Sequence, residues 1–167
     1  MTTTAQLINQ DSGDTEYYTP IEIINSARNT MGVIDLDVAS SSIANERVGA
    51  INYFTEVDNS LTKDWIGNIW MNHPFSRINN KVFIEKLVGE YDKGNITQAC
   101  CITFAATSEK WFQPLFRFPQ CFMSPRTNYF LPDGTLKKGV TKGSVVTYLG
   151  ENVEEFKKQF KRFGNIK

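Results

Sequence analysis

The chain has 167 residues and a mass of 19.0 kDa, which fits one domain that is long enough to bury a sizeable core. Hydrophobic residues make up 41% and charged residues 22%, as in an ordinary soluble globular protein, and no apolar run approaches the roughly eighteen residues that a membrane helix needs. The formal net charge is 0, from 18 basic and 18 acidic residues, which excludes a wholesale polycation.

The N-terminal part of the chain predicts a leader followed by a helix. Residues 1–16 are polar and lack the apolar segment of a signal peptide, so we expect a flexible leader over 1–16 and a single domain over 17–167. The run Thr19-Pro20-Ile21-Glu22 predicts a helix start, with Thr19 as the cap, Pro20 at the first helical position and Glu22 completing a capping box. Apolar residues at helical spacing continue to Gly32, which ends the helix.

Short strands are predicted in the next segment. Residues 32–37 indicate a strand that ends in acidic residues and precedes the small, flexible run Ala39-Ser40-Ser41-Ser42. Residues 45–64 are ambiguous, apart from a possible strand at 51–54. Residues 67–71 then indicate a buried strand, which stops at Asn72-His73-Pro74-Phe75.

Helix and strand alternate beyond this point. We expect a helix from near residue 80 to Gly94, a nearly continuous apolar strand at 96–104, and helical spacing at 111–116 that Pro114 interrupts. The last third predicts strands at 120–123, 128–131 and 144–149, a turn at 132–134, and a final helix that runs from its cap Asn152 to Gly164. This pattern indicates an α/β fold with a mainly parallel central sheet and antiparallel C-terminal strands.

The cysteines and the histidine exclude several kinds of site. The three cysteines are Cys100, Cys101 and Cys121; their number is odd, they form no C-x-x-C motif, and two of them are adjacent on an apolar run. They are typical of buried residues in a reducing compartment, so we expect a cytoplasmic protein without disulfides. Because His73 is the only histidine, a metal site with several histidine ligands is impossible, and a Ser-His-Asp triad would have to use this residue.

Two predicted strands end in polar residues that point to a ligand site. Ligands of open α/β sheets bind outside the carboxyl ends of the strands. Asp37-Val38-Ala39-Ser40 follows one such strand, and Asn72-His73-Pro74-Phe75 follows another. The second run joins an amide, a rigid proline and an aromatic ring directly after a buried strand. These two segments are therefore the candidate site.

Both segments carry a resemblance to a known family. Asn72-His73-Pro74-Phe75 matches the amino-methyltransferase signature Asp/Asn/Ser-Pro-Pro-Tyr/Phe/Trp except at the second position, where His replaces Pro. Asp37-Val38-Ala39-Ser40 resembles an Asp-Pro-Ala-Ser cofactor segment with Val in place of Pro, and Tyr18-Thr19-Pro20 resembles the Thr-Pro that opens the preceding helix. From about Tyr17 to Gly164 the chain resembles the small phage and prophage DNA N-6-adenine methyltransferases.

The resemblance implies a fold, a reaction and a set of partners. It implies a Rossmann-like methyltransferase fold in a single domain over 17–167. The reaction is transfer of a methyl group from S-adenosylmethionine (SAM) to the exocyclic N6 amino group of adenine in DNA, without a metal. The partner is DNA and not a membrane, and the compartment is the cytoplasm of a bacterial or phage-infected cell.

The catalytic residues implied are Asn72, His73, Pro74 and Phe75. The amino nitrogen of adenine is a poor nucleophile because its lone pair is delocalised into the ring. The side-chain oxygen of Asn72 and the backbone carbonyl of His73 can accept its two hydrogens and expose the lone pair, while Phe75 stacks on the base. For the cofactor, the resemblance implies contacts from Thr19, Pro20, Asp37, Ala39, Ser40 and Asp58.

A charge asymmetry supplies candidates for DNA contacts. Residues 1–83 hold 5 basic and 10 acidic residues, whereas residues 84–167 hold 13 basic and 8 acidic residues. Such a split can mark a basic face for nucleic acid, although it can equally be a solvated surface. The candidate phosphate contacts are Arg77, Lys81, Arg126, Lys137, Lys138 and Lys142.

Other interpretations remain open from the sequence. The same kind of loop serves amino methylation of cytosine at N4, and an RNA substrate is a weaker possibility. Because Val38 and His73 replace signature prolines, a degenerate chain that binds nucleic acid or SAM without turnover is a further alternative.

Overall fold

The computed structural model describes residues 17–137 and 140–167. The predicted leader over 1–16 and the candidate DNA contact Lys138 lie outside the described residues. Within the described ranges, no helix has the length and apolar character that crossing a membrane requires.

Within the described ranges, seven strands build one sheet, and α-helices are interspersed among them along the chain. The same ranges contain three 3-10 helices, at Glu56–Asp58, Ser60–Thr62 and Gln113–Arg117. The main elements, in chain order, are α1 (Ile21–Met31), β1 (Leu36–Asp37), α2 (Ser42–Val48), β2 (Asn52–Tyr53), β3 (Gly67–Met71), α3 (Arg77–Asp92), β4 (Ile96–Phe104), β5 (Gln120–Met123), β6 (Ser144–Leu149), α4 (Val153–Phe160) and β7 (Gly164–Ile166).

The sheet confirms the α/β class and the antiparallel C-terminal strands, although parallel pairs make up only half of the pairings. The strand order is β2-β1-β3-β4-β6-β5-β7. The three pairings among β2, β1, β3 and β4 are parallel, and the three that involve β6, β5 and β7 are antiparallel. The sheet is therefore divided evenly rather than mainly parallel. The reason is that β6 enters between β4 and β5 in the opposite direction, so both of its pairings are antiparallel.

The strand order creates a crevice at one edge of the sheet. β2 lies on one side of β1, and β3 lies on the other. The chain segments that leave the carboxyl ends of β1 and β3 therefore diverge, which opens a space between them. The two polar runs singled out in the sequence, 37–40 and 72–75, lie at this point.

Both faces of the sheet are covered by hydrophobic side chains. On β4, Cys100 and Ile102 belong to one core cluster, whereas Ala99 and Cys101 belong to the other. The first cluster includes the apolar residues of α1 and α4, and the second includes those of α3. This alternation explains the nearly continuous apolar run of β4, because successive side chains point to opposite faces and both faces are buried.

Two predictions about the first half of the chain are wrong. The expected capping box does not form, because α1 starts at Ile21 and Pro20 stands at its cap position without a side-chain hydrogen bond. The expected flexible run at 39–42 instead begins a helix. The hydroxyl of Ser41 accepts a hydrogen bond from the backbone N–H of Ala44 at 3.0 Å and caps α2, which is the usual role of serine before a helix.

The last third differs in its short elements. Instead of a strand at 128–131, only Phe130 forms isolated bridges, to Tyr18 and to Leu136. The side chain of Asn152 donates to the carbonyl of Thr30 and does not cap α4. The helix ends at Phe160 and not at Gly164, and the chain then adds β7, which pairs antiparallel with β5.

Candidate functional site

A pocket with a volume of about 330 Å³ opens at the crevice between β1 and β3. This volume is in the usual range for small-molecule sites. The walls come from the segments after β1, β2 and β3, from α2, and from the chain that precedes α1. The predicted site residues that line it are Thr19, Asp37, Ala39, Ser40, Asn72, His73 and Pro74.

Hydrogen bonds fix the orientation of the Asn72 side chain. Its Nδ2 donates to the carbonyl of Tyr17 at 2.6 Å and to the hydroxyl Oγ1 of Thr19 at 3.1 Å. An amide nitrogen has two hydrogens, so both are used. Within 17–137 and 140–167, no donor bonds to the remaining Oδ1 atom. Thr19 therefore holds Asn72 in place, a role that its helix-cap pattern did not indicate.

The His73 ring is buried and neutral. Its Nε2 lies 2.7 Å from Oδ1 of Asn80. Because an amide oxygen only accepts, Nε2 must carry the proton, and Nδ1 is left as a buried acceptor without a partner among the described residues. Burial lowers the pKa of His73 to about 4, although the bond to Asn80 opposes the shift. The ring stacks on Phe83 at a centroid distance of 5.4 Å.

The backbone carbonyl of His73 is a second available acceptor. In the part of the chain that the structure describes, no backbone or side-chain donor bonds to it. The side-chain oxygen of Asn72 and the carbonyl of His73 are thus neighbouring acceptors in residues that line the pocket. Together they can receive two hydrogens from one amino group.

Phe75, which was expected to stack on a base, is buried and does not line the pocket. It is 2% exposed and lies 4.6 Å from Phe104 between ring centroids, with Tyr17 and Tyr129 also in contact. Its ring completes an aromatic cluster beneath the loop. The aromatic residues that do line the pocket are Tyr17, Tyr18, Trp70 and Phe83.

Asp37 brings a buried carboxyl group to the pocket wall. It is 2% exposed, and one of its oxygens accepts a hydrogen bond from the backbone N–H of Ala39 at 3.2 Å. Burial raises the pKa of Asp37 from 3.8 to about 7, while hydrogen bonds from Ala39 and Ser40 act in the opposite direction. At neutral pH this carboxyl group therefore accepts a positive partner readily, because ionisation in isolation is costly.

The structure places Glu56, and not Asp58, at the pocket. The carboxylate of Asp58 accepts hydrogen bonds from the backbone N–H and the hydroxyl of Thr55, at 2.7 and 2.8 Å, which lower its pKa. It thereby caps the turn after β2 and does not line the pocket. Glu56 does line the pocket, although sequence analysis did not select it. Pro20 stands at the cap position before α1 and likewise does not line the pocket.

The predicted basic residues lie in different surroundings. Arg77 and Lys81 are exposed on the first turns of α3, which starts directly after the candidate loop. Lys142 lies 5.5 Å from the ring centroid of Phe104, Arg126 donates to the carbonyl of Val140, and Lys137 is half-buried. Sequence analysis missed one further cation, Arg47, which lines the pocket and lies 4.4 Å from the ring centroid of Phe130.

Among the described residues, no group of three or more His, Cys, Asp or Glu side chains is arranged to hold a metal ion.

A family model described as DNA N-6-adenine-methyltransferase (Dam) matches residues 7–136, more than three quarters of the chain. The match includes both loops that form the pocket, and β6, α4 and β7 lie beyond it. No curated protein matches the chain.

Replacing Asp37 with Asn should remove a pH dependence from folding stability. Folding raises the pKa of Asp37 to about 7, so the folded state keeps a proton that the unfolded chain releases. The free energy of unfolding of the wild-type protein relative to that of Asp37→Asn should therefore fall from about pH 4 to about pH 7, by roughly 1.4 kcal/mol for each pKa unit, and level off above. The pKa of His73, which folding lowers to about 4, has the opposite effect over part of this range, but it acts equally in both proteins and cancels in the comparison. Urea unfolding of both proteins across this range measures the effect. A stability difference that is independent of pH would contradict the assignment.

Proposed function

This chain belongs to the DNA N-6-adenine-methyltransferase family, and we propose that the pocket between β1 and β3 is its active site. As a member of that family it is an adenine-specific DNA methyltransferase that uses SAM. The family match therefore favours adenine over cytosine and catalysis over a degenerate binding module. The fold we infer is Rossmann-like, supported by the reversal of strand order at β1 and the pocket outside the strand ends.

The organisation of the chain and its compartment follow as parts of the same proposal. Residues 17–167 form a single methyltransferase domain, because strands from both halves of the chain pair in one sheet. The enzyme works in the cytoplasm, where its DNA substrate is found and where its three free, buried cysteines stay reduced. No metal takes part, because the sulfonium of SAM already carries a good leaving group, the neutral thioether that is released when the bond from sulfur to the methyl group breaks.

The pocket residues fit SAM as the methyl donor. SAM combines a sulfonium, an ammonium group, a carboxylate and a ribose, and when bound it supplies an electrophilic methyl group. The pocket is lined by two carboxyl groups, Asp37 and Glu56, which suit the cationic groups and the ribose hydroxyls. Ala39 and Ser40 are small enough to leave room beside Asp37, and Thr19 also lines the pocket, where it holds Asn72.

The observation that carries the proposal is the pair of available acceptors at 72 and 73. Asn72 Oδ1 and the His73 carbonyl accept hydrogen bonds from the two N–H groups of the adenine amine. These hydrogen bonds orient the lone pair of the amine nitrogen toward the methyl group. The hydrogen bonds from Asn72 to Tyr17 and Thr19 hold the oxygen in position before the base arrives. Since the base is hidden in duplex DNA, it must be extruded or presented unpaired.

Phe75 contributes to this site through packing. Its ring supports Tyr17, with 6.1 Å between centroids and 24° between planes. Tyr17 lines the pocket and accepts a hydrogen bond from Asn72 through its carbonyl. The aromatic residue of the signature thus stabilises the wall behind the adenine amine.

Asn72→Ala tests the proposed active site. The variant removes one of the two acceptors, so the methylation rate should fall by about a hundredfold or more. The dissociation constant for SAM should change little. Both are measured with labelled SAM, in a transfer assay on unmodified plasmid followed by nucleoside analysis for N6-methyladenine, and in a binding titration. Asn95→Ala, at a surface turn, is the matched control. Equal loss of activity and SAM binding in Asn72→Ala would contradict the assigned role.

The different positions of Glu56 and Asp58 give a second test, which concerns the proposed SAM site. Glu56→Gln should weaken SAM binding by about tenfold, the value of one charge-assisted hydrogen bond. Asp58→Asn keeps an oxygen that can cap the turn, so its SAM affinity should stay close to that of the wild type. Isothermal titration with SAM measures both. If Asp58→Asn were the weaker binder, the original assignment of Asp58 would be right.

The surface that starts α3 is the proposed DNA contact nearest the pocket. Arg77→Ala should reduce the slope of log affinity against log salt concentration by about 1, because one phosphate contact is lost. Lys93→Ala is the control, since Lys93 is exposed at the other end of α3, about 24 Å away for a helix of this length. Fluorescence anisotropy with a labelled duplex over a salt series measures the slopes. Equal slopes for Arg77→Ala and the wild type would exclude this contact.

A further inference from the structure

We propose that the hydrogen bond between His73 and Asn80 replaces the rigidity of the missing signature proline and positions the carbonyl of His73 for the reaction. This inference rests on the active site proposed above. It assigns His73 and Asn80 as positioning residues, because their side chains act through the backbone of the loop.

The chemistry of the loop creates the need for such a restraint. Proline fixes its own φ near −65°, so a Pro-Pro loop presents the carbonyl between the two prolines in one direction. Here Pro74 restricts His73 to extended conformations, but His73 lacks the ring that would fix its own φ. Without another restraint, the carbonyl that accepts an amine hydrogen would sample several directions.

Contacts of the His73 ring supply this restraint. The ring is 1% exposed, bonds to Asn80 at 2.7 Å, stacks on Phe83 with 16° between planes, and meets Phe75 edge-on at 5.7 Å. Stacking alone leaves a ring free to turn in its plane. The directional bond to Asn80 removes that freedom, so the side chain and its backbone are held in one conformation.

Asn80 is itself held firmly. It lies in the first turn of α3 and is 9% exposed. Its backbone N–H donates to the carbonyl of Ser76 at 2.8 Å, and the hydroxyl of Ser76 caps the helix through Asn79. The restraint therefore connects the loop to a capped helix start. Among the described residues, Asn80 is the only hydrogen-bond partner of the His73 ring.

A double-mutant cycle with proline tests the proposal. Asn80→Ala should lower the single-turnover methylation rate by about tenfold or more at saturating SAM, since misplacement of a catalytic group costs at least this much. His73→Pro restores the signature residue and serves as the background in which the effect of Asn80→Ala is measured again. In the His73→Pro background, Asn80→Ala should then cost little, because the loop no longer depends on Asn80.

A second cycle covers the case in which His73→Pro does not fold. His73→Ala should lower the rate as far as Asn80→Ala does, and combining the two should cost less than about twofold more. SAM affinity and melting temperature are measured for every variant. Asn68→Ala is the control for loss of a tertiary hydrogen bond at the other end of β3, so it should lower the melting temperature but not the rate.

The outcomes separate this proposal from the proposed active site. If Asn80→Ala keeps the wild-type rate while Asn72→Ala is inactive, the active site stands and the restraint is wrong. The restraint is also wrong if Asn80→Ala costs the same factor in the His73→Pro or His73→Ala background as alone. If Asn72→Ala keeps full activity, the active site itself fails.

Discussion

The structure of the site depends on the two hydrogen bonds that the Asn72 side chain donates to Tyr17 and Thr19. They bring the chain before α1 against the end of β3 and leave the amide oxygen as an acceptor. The same segment extends further, since Tyr18 exchanges backbone hydrogen bonds with Phe130 at 2.7 and 2.9 Å. Residues far apart in the sequence thus meet at the pocket, and because Tyr17 also belongs to the hydrophobic core, a change in this segment would disturb both the proposed acceptor and the core.

Charge is distributed around the pocket in a way that separates its two proposed ligands. The carboxyl groups of Asp37 and Glu56 line the pocket, where a cationic methyl donor is favoured. Arg77 and Lys81 are exposed beside the loop, where DNA phosphates would approach. Because Asp37 is buried and its pKa is raised, a bound cation would favour its charged form and would thereby stabilise the folded protein.

Sequence patterns predicted the parts of the fold that depend on local burial. The strands at 67–71, 96–104, 120–123 and 144–149 were predicted with the observed bounds, since long apolar runs determine them. Patterns failed where a tertiary contact decides. Thr19 has the pattern of a helix cap, but its hydroxyl accepts a hydrogen bond from Asn72. The carboxylate of Asp58 is bound to Thr55 within its own turn, and Glu56 lines the pocket. Asn80 carried no local signal, because its partner is fixed only when the loop packs against α3.

The two departures from the family pattern share a physical explanation. Val38 stands where the cofactor segment of the family has proline, and its backbone N–H donates to the carbonyl of Trp70 at 3.3 Å, a bond that proline cannot make. It is fully buried and so joins β1 to β3 directly beside the pocket. His73 replaces the other proline and gains its bond to Asn80. Val38 and His73 both lack the proline ring that would fix φ, and each forms a hydrogen bond to a neighbouring element instead. The shape of the two loops therefore depends on tertiary packing. Substitutions in β3 or α3 should therefore affect catalysis more strongly here than in a chain that keeps both prolines.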